Sequence, residues 1–137
     1  MTGERITMCP PAMIQVETRD GVTSFRPGDE VAGRAWWQLD QPPSDVVARL
    51  FWYTEGKGTQ DVVVVQEETF PAPGAQDQRK FSFRLPEGPF SFSGRLISLL
   101  WAVEVVALPG EEAGRVGIVV SPTGDEIRVA PAEEPGA

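Results

Sequence analysis

Arg-Leu-Ile-Ser-Leu-Leu-Trp-Ala-Val-Glu-Val-Val-Ala-Leu, running from Arg95 to Leu108, is a long and mostly apolar run whose internal period decides the fold class. Read alternately, Ile97, Leu99, Trp101, Val103 and Val105 form an unbroken apolar row, while Leu96, Ser98, Leu100, Ala102, Glu104 and Val106 form a mixed one. A period of two with one dry face specifies a half-buried β-strand, and the β-branched and aromatic content agrees. The run is too short for a membrane-spanning helix, which needs roughly 20 apolar residues, and Glu104 interrupts it.

The same period recurs on both sides of this run. Met13–Thr18 reads as a first strand with Ile14 and Val16 in phase, closed by the turn pair Asp20-Gly21. Pro27-Gly28 marks a second turn, because proline presets φ and glycine supplies freedom at the next position. From residue 30 to 39, Val31, Gly33, Ala35, Trp37 and Leu39 are predicted to face the core. Trp36 then falls on the polar face, covered by a loop or neighbouring side chain, or else touching a partner. After a loop at 40–45, residues 46–54 put Ala48, Leu50 and Trp52 on one side and Val47, Arg49, Phe51 and Tyr53 on the other; Arg49 makes the first side the expected core face. The segment 54–61 contains Gly56-Lys57-Gly58-Thr59, but lacks the glycine spacing of a phosphate loop and precedes four valines, so it reads as a hairpin turn. The run 62–65 is expected to be paired on both sides or protected by flanking charges, since a bare valine edge invites aggregation. Residues 71–78 read as a loop and 79–85 as a strand with Phe81, Phe83 and Leu85 inward. Short closing strands are expected at 115–120 and 126–129. Residues 1–11 read as a flexible leader and 131–137 as a disordered tail, leaving 12–130 as one domain. Strands with one face each to bury, and no amphipathic helix, predict an all-β, immunoglobulin-like antiparallel β-sandwich of seven to nine strands.

Composition narrows the chemistry. Twelve basic against twenty acidic residues give a net charge of -8, which argues against nucleic acid and against anionic membranes as partners. No histidine is present, and the single Cys9 has no imidazole to activate it, which removes most metal sites and nucleophile–base pairs. Glu67-Glu68 and Glu111-Glu112 are adjacent pairs whose members point to opposite strand faces, so neither forms an acid–base pair. Glu104 is expected to be exposed or paired with a neighbouring arginine. No cofactor is predicted, and the spacing of Asp40, Asp45, Asp61 and Asp77 is unlike a calcium loop. The lone cysteine and a start without an apolar signal core predict a reduced, cytoplasmic setting.

Two phrases resemble the arrestin-like fold. Phe-Arg-Pro-Gly-Asp-Glu-Val-Ala-Gly, from Phe25 to Gly33, resembles the opening of the second strand in such sandwiches. The segment from Phe81 to Val105 resembles their later signature, in which a strand ends in an F-x-F-x-L-P phrase, a P-S-Y-x-G loop crosses over and a long alternating strand follows. The resemblance implies a single-domain, bacterial-type member acting as a non-enzymatic protein scaffold, with binding placed in the loops at 40–45, 54–61 or 86–94 or on sheet surfaces. Neither Pro10-Pro11 nor Pro42-Pro43 is followed by the x-Tyr with which α-arrestins recruit ubiquitin ligases.

Trp36, Phe51, Tyr53, Leu100 and Val106 are the predicted partner-binding residues, forming an exposed apolar patch if their strands adjoin. The occupant is a protein partner or a second copy in a homodimeric structural unit, with no insertion into a membrane. An exported carbohydrate-binding sandwich is the alternative, because exposed tryptophan and tyrosine stack on sugar rings.

Overall fold

Alternation becomes strands throughout the computed structural model, which describes residues 13–56, 60–94, 96–110 and 112–123 and the backbone of 127–128. The expected leader with Cys9, the hairpin tip at 57–59 and the tail at 131–137 lie outside the described residues. Among the described residues there are seven longer strands, β1 (Met13–Thr18), β3 (Glu30–Gln38), β4 (Asp45–Gly56), β5 (Val62–Phe70), β6 (Gln76–Arg84), β8 (Ile97–Leu108) and β9 (Ala113–Val120). Three two-residue strands join them: β2 (Ser24–Phe25), β7 (Phe92–Ser93) and β10 (Ile127–Arg128). The only helical turn described is a short 3-10 element at Arg19–Gly21, where Asp20 and Gly21 take positive φ values of 56° and 70°.

The strands form an all-β sandwich. One sheet has three strands in the order β1-β3-β6, and the other has seven, running β10-β7-β8-β4-β5 with β9 on β8 and β2 on β9. The long ladders are antiparallel, while the two-residue pairings β2 with β9 and β7 with β10 are parallel. Strands β4 and β8 pair along their whole length, from Asp45 opposite Leu108 to Gly56 opposite Ile97, and make the spine of the larger sheet.

Between the sheets lie the residues that the alternation assigned there: Val31, Ala35 and Trp37 from β3, Ala48 and Leu50 from β4, Phe81 and Phe83 from β6, and Leu99, Trp101, Val103 and Val105 from β8. Ile97 departs from its row and is 45% exposed, because it lies at the strand's first position, opposite Gly56 at the end of β4. The Trp101 indole N–H donates to the Pro89 carbonyl at 2.9 Å, so the core tryptophan also ties down the crossing loop before β8.

Several boundaries differ from expectation. Strand β6 begins at Gln76 rather than 79, since Gln76, Asp77 and Gln78 pair with Gln38, Trp37 and Trp36 despite their polarity. Asp77 faces the interior end of the sandwich as a latch: its carboxylate accepts from Arg79 at 2.8 Å and from the Gly74 N–H at 3.0 Å. Arg79 also donates to the carbonyls of Pro71 and Ala72, and the Trp37 indole donates to the Gly74 carbonyl, so the 71–75 loop is held over the core. These donors hold the Asp77 carboxyl down at about 2, with the Arg79 hydrogen bond contributing most. Strand β5 continues to Phe70 and β9 begins at Ala113, each longer than its apolar run.

Candidate functional site

The outer face of the larger sheet is built from the mixed rows of β4 and β8 and their neighbours. Register places Tyr53 beside Leu100 and Val62, Phe51 beside Ala102 and Val64, Arg49 beside Glu104 and Glu67, and Val47 beside Val106. On the far side of β8, Glu104 faces Arg115 of β9 and Val106 faces Ala113. Four of the five predicted residues, Phe51, Tyr53, Leu100 and Val106, thus share one face. Trp36 does not join them, because β3 belongs to the other sheet.

At the centre of this face, Phe51 and Tyr53 stack with centroids 5.8 Å apart. The Arg115 guanidinium lies over both rings, 5.0 Å from the Phe51 centroid and 5.4 Å from that of Tyr53. A cation over an aromatic face contributes about 0.5–1 kcal/mol at exposed sites, so this cap is held loosely. Arg115 also approaches Glu104 at 3.6 Å, which gives Glu104 the expected arginine partner. Arg49 is bonded to Glu67 at 2.7 Å. A depression of about 350 Å³ opens over the stacked rings, rimmed by Val62, Val64, Glu55 and Gln60.

Exposure is uneven across the predicted patch. Tyr53 and Leu100 are partly exposed, but Phe51 is only 4% and Val106 only 9% exposed, so neither is an open apolar surface by itself. Phe51 is covered by Tyr53 and Arg115, and Val106 is flanked by Val47 and Ala113. Arg115, Val62 and Val64 belong to the site and were not predicted; the run of four valines was the signal for the latter two.

Trp36 lies on the outer face of the three-stranded sheet, between Gln15 and Gln78. It is half-buried, with the Arg34 guanidinium 5.1 Å from its ring centroid and Arg34 itself bonded to Glu17 at 3.1 Å. A neighbouring side chain therefore covers part of the ring. Met13, Gln38, Gln76 and Gln78 surround it in a shallow depression of about 610 Å³.

The β5 run is the sheet's open edge rather than a strand paired on both sides. Among the described residues its ladder pairing is with β4 alone, and a register shift opposite Leu50 and Phe51 leaves Val65 as the extra residue of a bulge. Val62, Val63 and Val64 are 59%, 41% and 47% exposed. Asp61 before them and Glu67 and Glu68 after them supply the flanking charges.

Among the described residues, no group of three or more His, Cys, Asp or Glu side chains could hold a metal ion, and no helix is long and apolar enough to cross a membrane. No protein-family model matches the chain, and no curated protein matches it. Among solved structures it is similar to the β-glucosidase from Listeria innocua in complex with gluconolactone, with a TM-score of 0.45 and 14% identity over 85% of this chain and 16% of that one. Against the isofagomine complex of that β-glucosidase the TM-score is 0.44, at 14% identity over 85% of this chain and 17% of the other. The chain spans about a sixth of the length of these β-glucosidase chains.

Proposed function

We propose that this chain is a non-enzymatic protein-interaction module of the arrestin-like type, a single-domain bacterial member acting in the cytoplasm, which offers the outer face of its seven-stranded sheet to a protein partner. The observation that carries this reading is the stacked Phe51–Tyr53 pair under Arg115, set in a depression with valines on one rim and ion pairs around it. An aromatic and arginine centre with a polar surround is the composition of protein interfaces, where such residues act as anchors. The absence of histidine from the chain supports a non-catalytic role, since it leaves no imidazole base. The arrestin-like part of the reading is supported by its two phrases: residues 25–33 contain the turn into β3, and residues 81–105 run from the end of β6 through the crossing loop into β8. The net charge of -8 favours protein partners over nucleic acid.

The test compares Tyr53→Ala with Trp36→Ser in quantitative affinity capture, both variants first shown to melt like the wild type. Tyr53→Ala is expected to weaken the captured partner by roughly thirtyfold, the scale of losing an interface anchor worth about 2 kcal/mol, while Trp36→Ser retains it. Capture that survives Tyr53→Ala but is lost with Trp36→Ser would move the surface to the three-stranded sheet.

A second reading, carbohydrate binding, is favoured by the half-buried Trp36 among Gln38, Gln76 and Gln78 on that opposite face. An indole face stacks on sugar C–H groups and carboxamides pair with vicinal hydroxyls. Titration with soluble polysaccharides, read by tryptophan fluorescence in wild type and Trp36→Ala, decides it: a change seen only in the wild type supports the reading, and no change rejects it.

A further inference from the structure

We propose that the free edge of β5 at Val62 to Val64 accepts an extended peptide as an added antiparallel strand, and that the peptide it fits carries alternating apolar side chains flanked by Lys or Arg. The proposal rests on the protein-interaction reading and names where the partner docks and what it is made of.

The backbone comes first. The Thr54 N–H donates to the Asp61 carbonyl, and Tyr53, Trp52 and Phe51 face Val62, Val63 and Val64 in turn. Antiparallel pairs alternate between bonded and unbonded, so Val63 turns its amide toward β4 while Val62 and Val64 turn their N–H and C=O groups out. Among the described residues no other strand pairs with them. Gln66 reaches the Arg84 carbonyl at 2.6 Å and bridges to the other sheet beyond this stretch, leaving the valines uncovered.

The side chains come next. Val62 and Val64 stand on the same face as Tyr53 and Phe51, on the rim of the depression described above. An added strand would set its own alternate side chains beside the two valines, extending the apolar centre outward. Main-chain bonds then provide affinity and the flanking side chains provide selection, as in other strand-addition complexes.

Charge selects the occupant. Glu55 and Asp61 stand at one end of the exposed run and Glu68 at the other, and none of the three forms an ion pair among the described residues. Two copies paired antiparallel about Val64, with Val65 left out of register as it is against β4, would set Asp61 of each opposite Glu68 of the other, between chains that each carry a net charge of -8. The edge therefore opposes a second copy of itself and complements a cationic peptide.

The probe is a short labelled peptide of alternating valine and threonine with paired lysines at both ends, set against the same peptide with glutamates in place of lysines. Binding is read by anisotropy at low and high salt, and located by amide shifts and exchange protection in the full chain. The expected result is binding of the lysine peptide alone, weakened by salt, with new protection at Val62 and Val64. Val64→Pro removes one outward N–H at a position where an edge strand tolerates proline, and should weaken binding by about tenfold, the scale of one main-chain hydrogen bond. If that variant fails to fold, the pair Val62→Lys and Val64→Lys replaces it, with the same expected loss. Lysine-peptide binding that maps away from β5, or survives both variants, overturns strand addition and leaves the interaction reading standing. Equal binding of the two peptides overturns the charge selection, and β5 protection appearing with protein concentration alone overturns the peptide in favour of a second copy. No binding of either peptide overturns the proposal, whereas loss of partner capture in Tyr53→Ala would still support the broader reading.

Discussion

Trp101 is 1% exposed and is the largest of the fully buried side chains, with its indole N–H on the Pro89 carbonyl. Trp101→Ala is expected to cost about 3–5 kcal/mol, as emptying a core aromatic site does, and also to free the crossing loop. Urea denaturation checks this; an unchanged midpoint would place Trp101 outside the core. Asp77 supports a pH prediction. Its carboxyl is held at about 2 against an ordinary 3.8, so its contribution is complete above about pH 4 and is lost as the pH falls toward 2. Thermal melts across that window should show the wild type losing stability more steeply than Asp77→Asn, and parallel slopes would remove Asp77 from the latch. Trp101 was legible from the alternation around it. Asp77 was not, because its partners Arg79 and the Gly74 amide meet it only when the 71–75 loop folds over Trp37.

Elements were legible in proportion to how far burial constrains them. Strands β1, β3 and β8 alternate cleanly because one face of each packs into the core, and the expected boundaries fall within two residues of those found. The missed ends of β5 and β6, residues 66–69 and 76–78, are polar residues that pair in a ladder without an apolar period; hence β5 was expected to stop at 65 and β6 to start at 79. Backbone spacing between elements is a further constraint. At the β1–β3 crossing, Gly33 pairs with Thr18, and a Cβ there would stand 2.9 Å from both the Thr18 Cα and the Phe81 ring. Gly33→Ala is therefore expected to destabilise by about 1–3 kcal/mol through overcrowding, although alanine ordinarily suits a strand better than glycine. Native-state hydrogen exchange should show β1 amides losing protection first, and a stabilised variant would mean that β1 has room to move.

For the whole molecule, a net charge of -8 and an acid-flanked valine edge predict a monomer at every accessible concentration. Sedimentation over a concentration series checks it. A concentration-dependent dimer would assign the outer face to self-assembly and make the chain a structural unit rather than an adaptor. By itself the sequence determined that the chain is all-β and which face of each principal strand is dry, because a period of two is a local property of the pleated backbone. It also determined the chemical poverty of the surface, with no histidine and an acidic balance. Only the tertiary structure decided which strands adjoin. That decision separates Trp36 from Phe51, Tyr53, Leu100 and Val106, brings Arg115 over the aromatic pair, and leaves Val62 to Val64 on an open edge. The physical reason is that the exposure of an outward-facing side chain is set by its cross-strand neighbours, which a sandwich draws from distant parts of the chain.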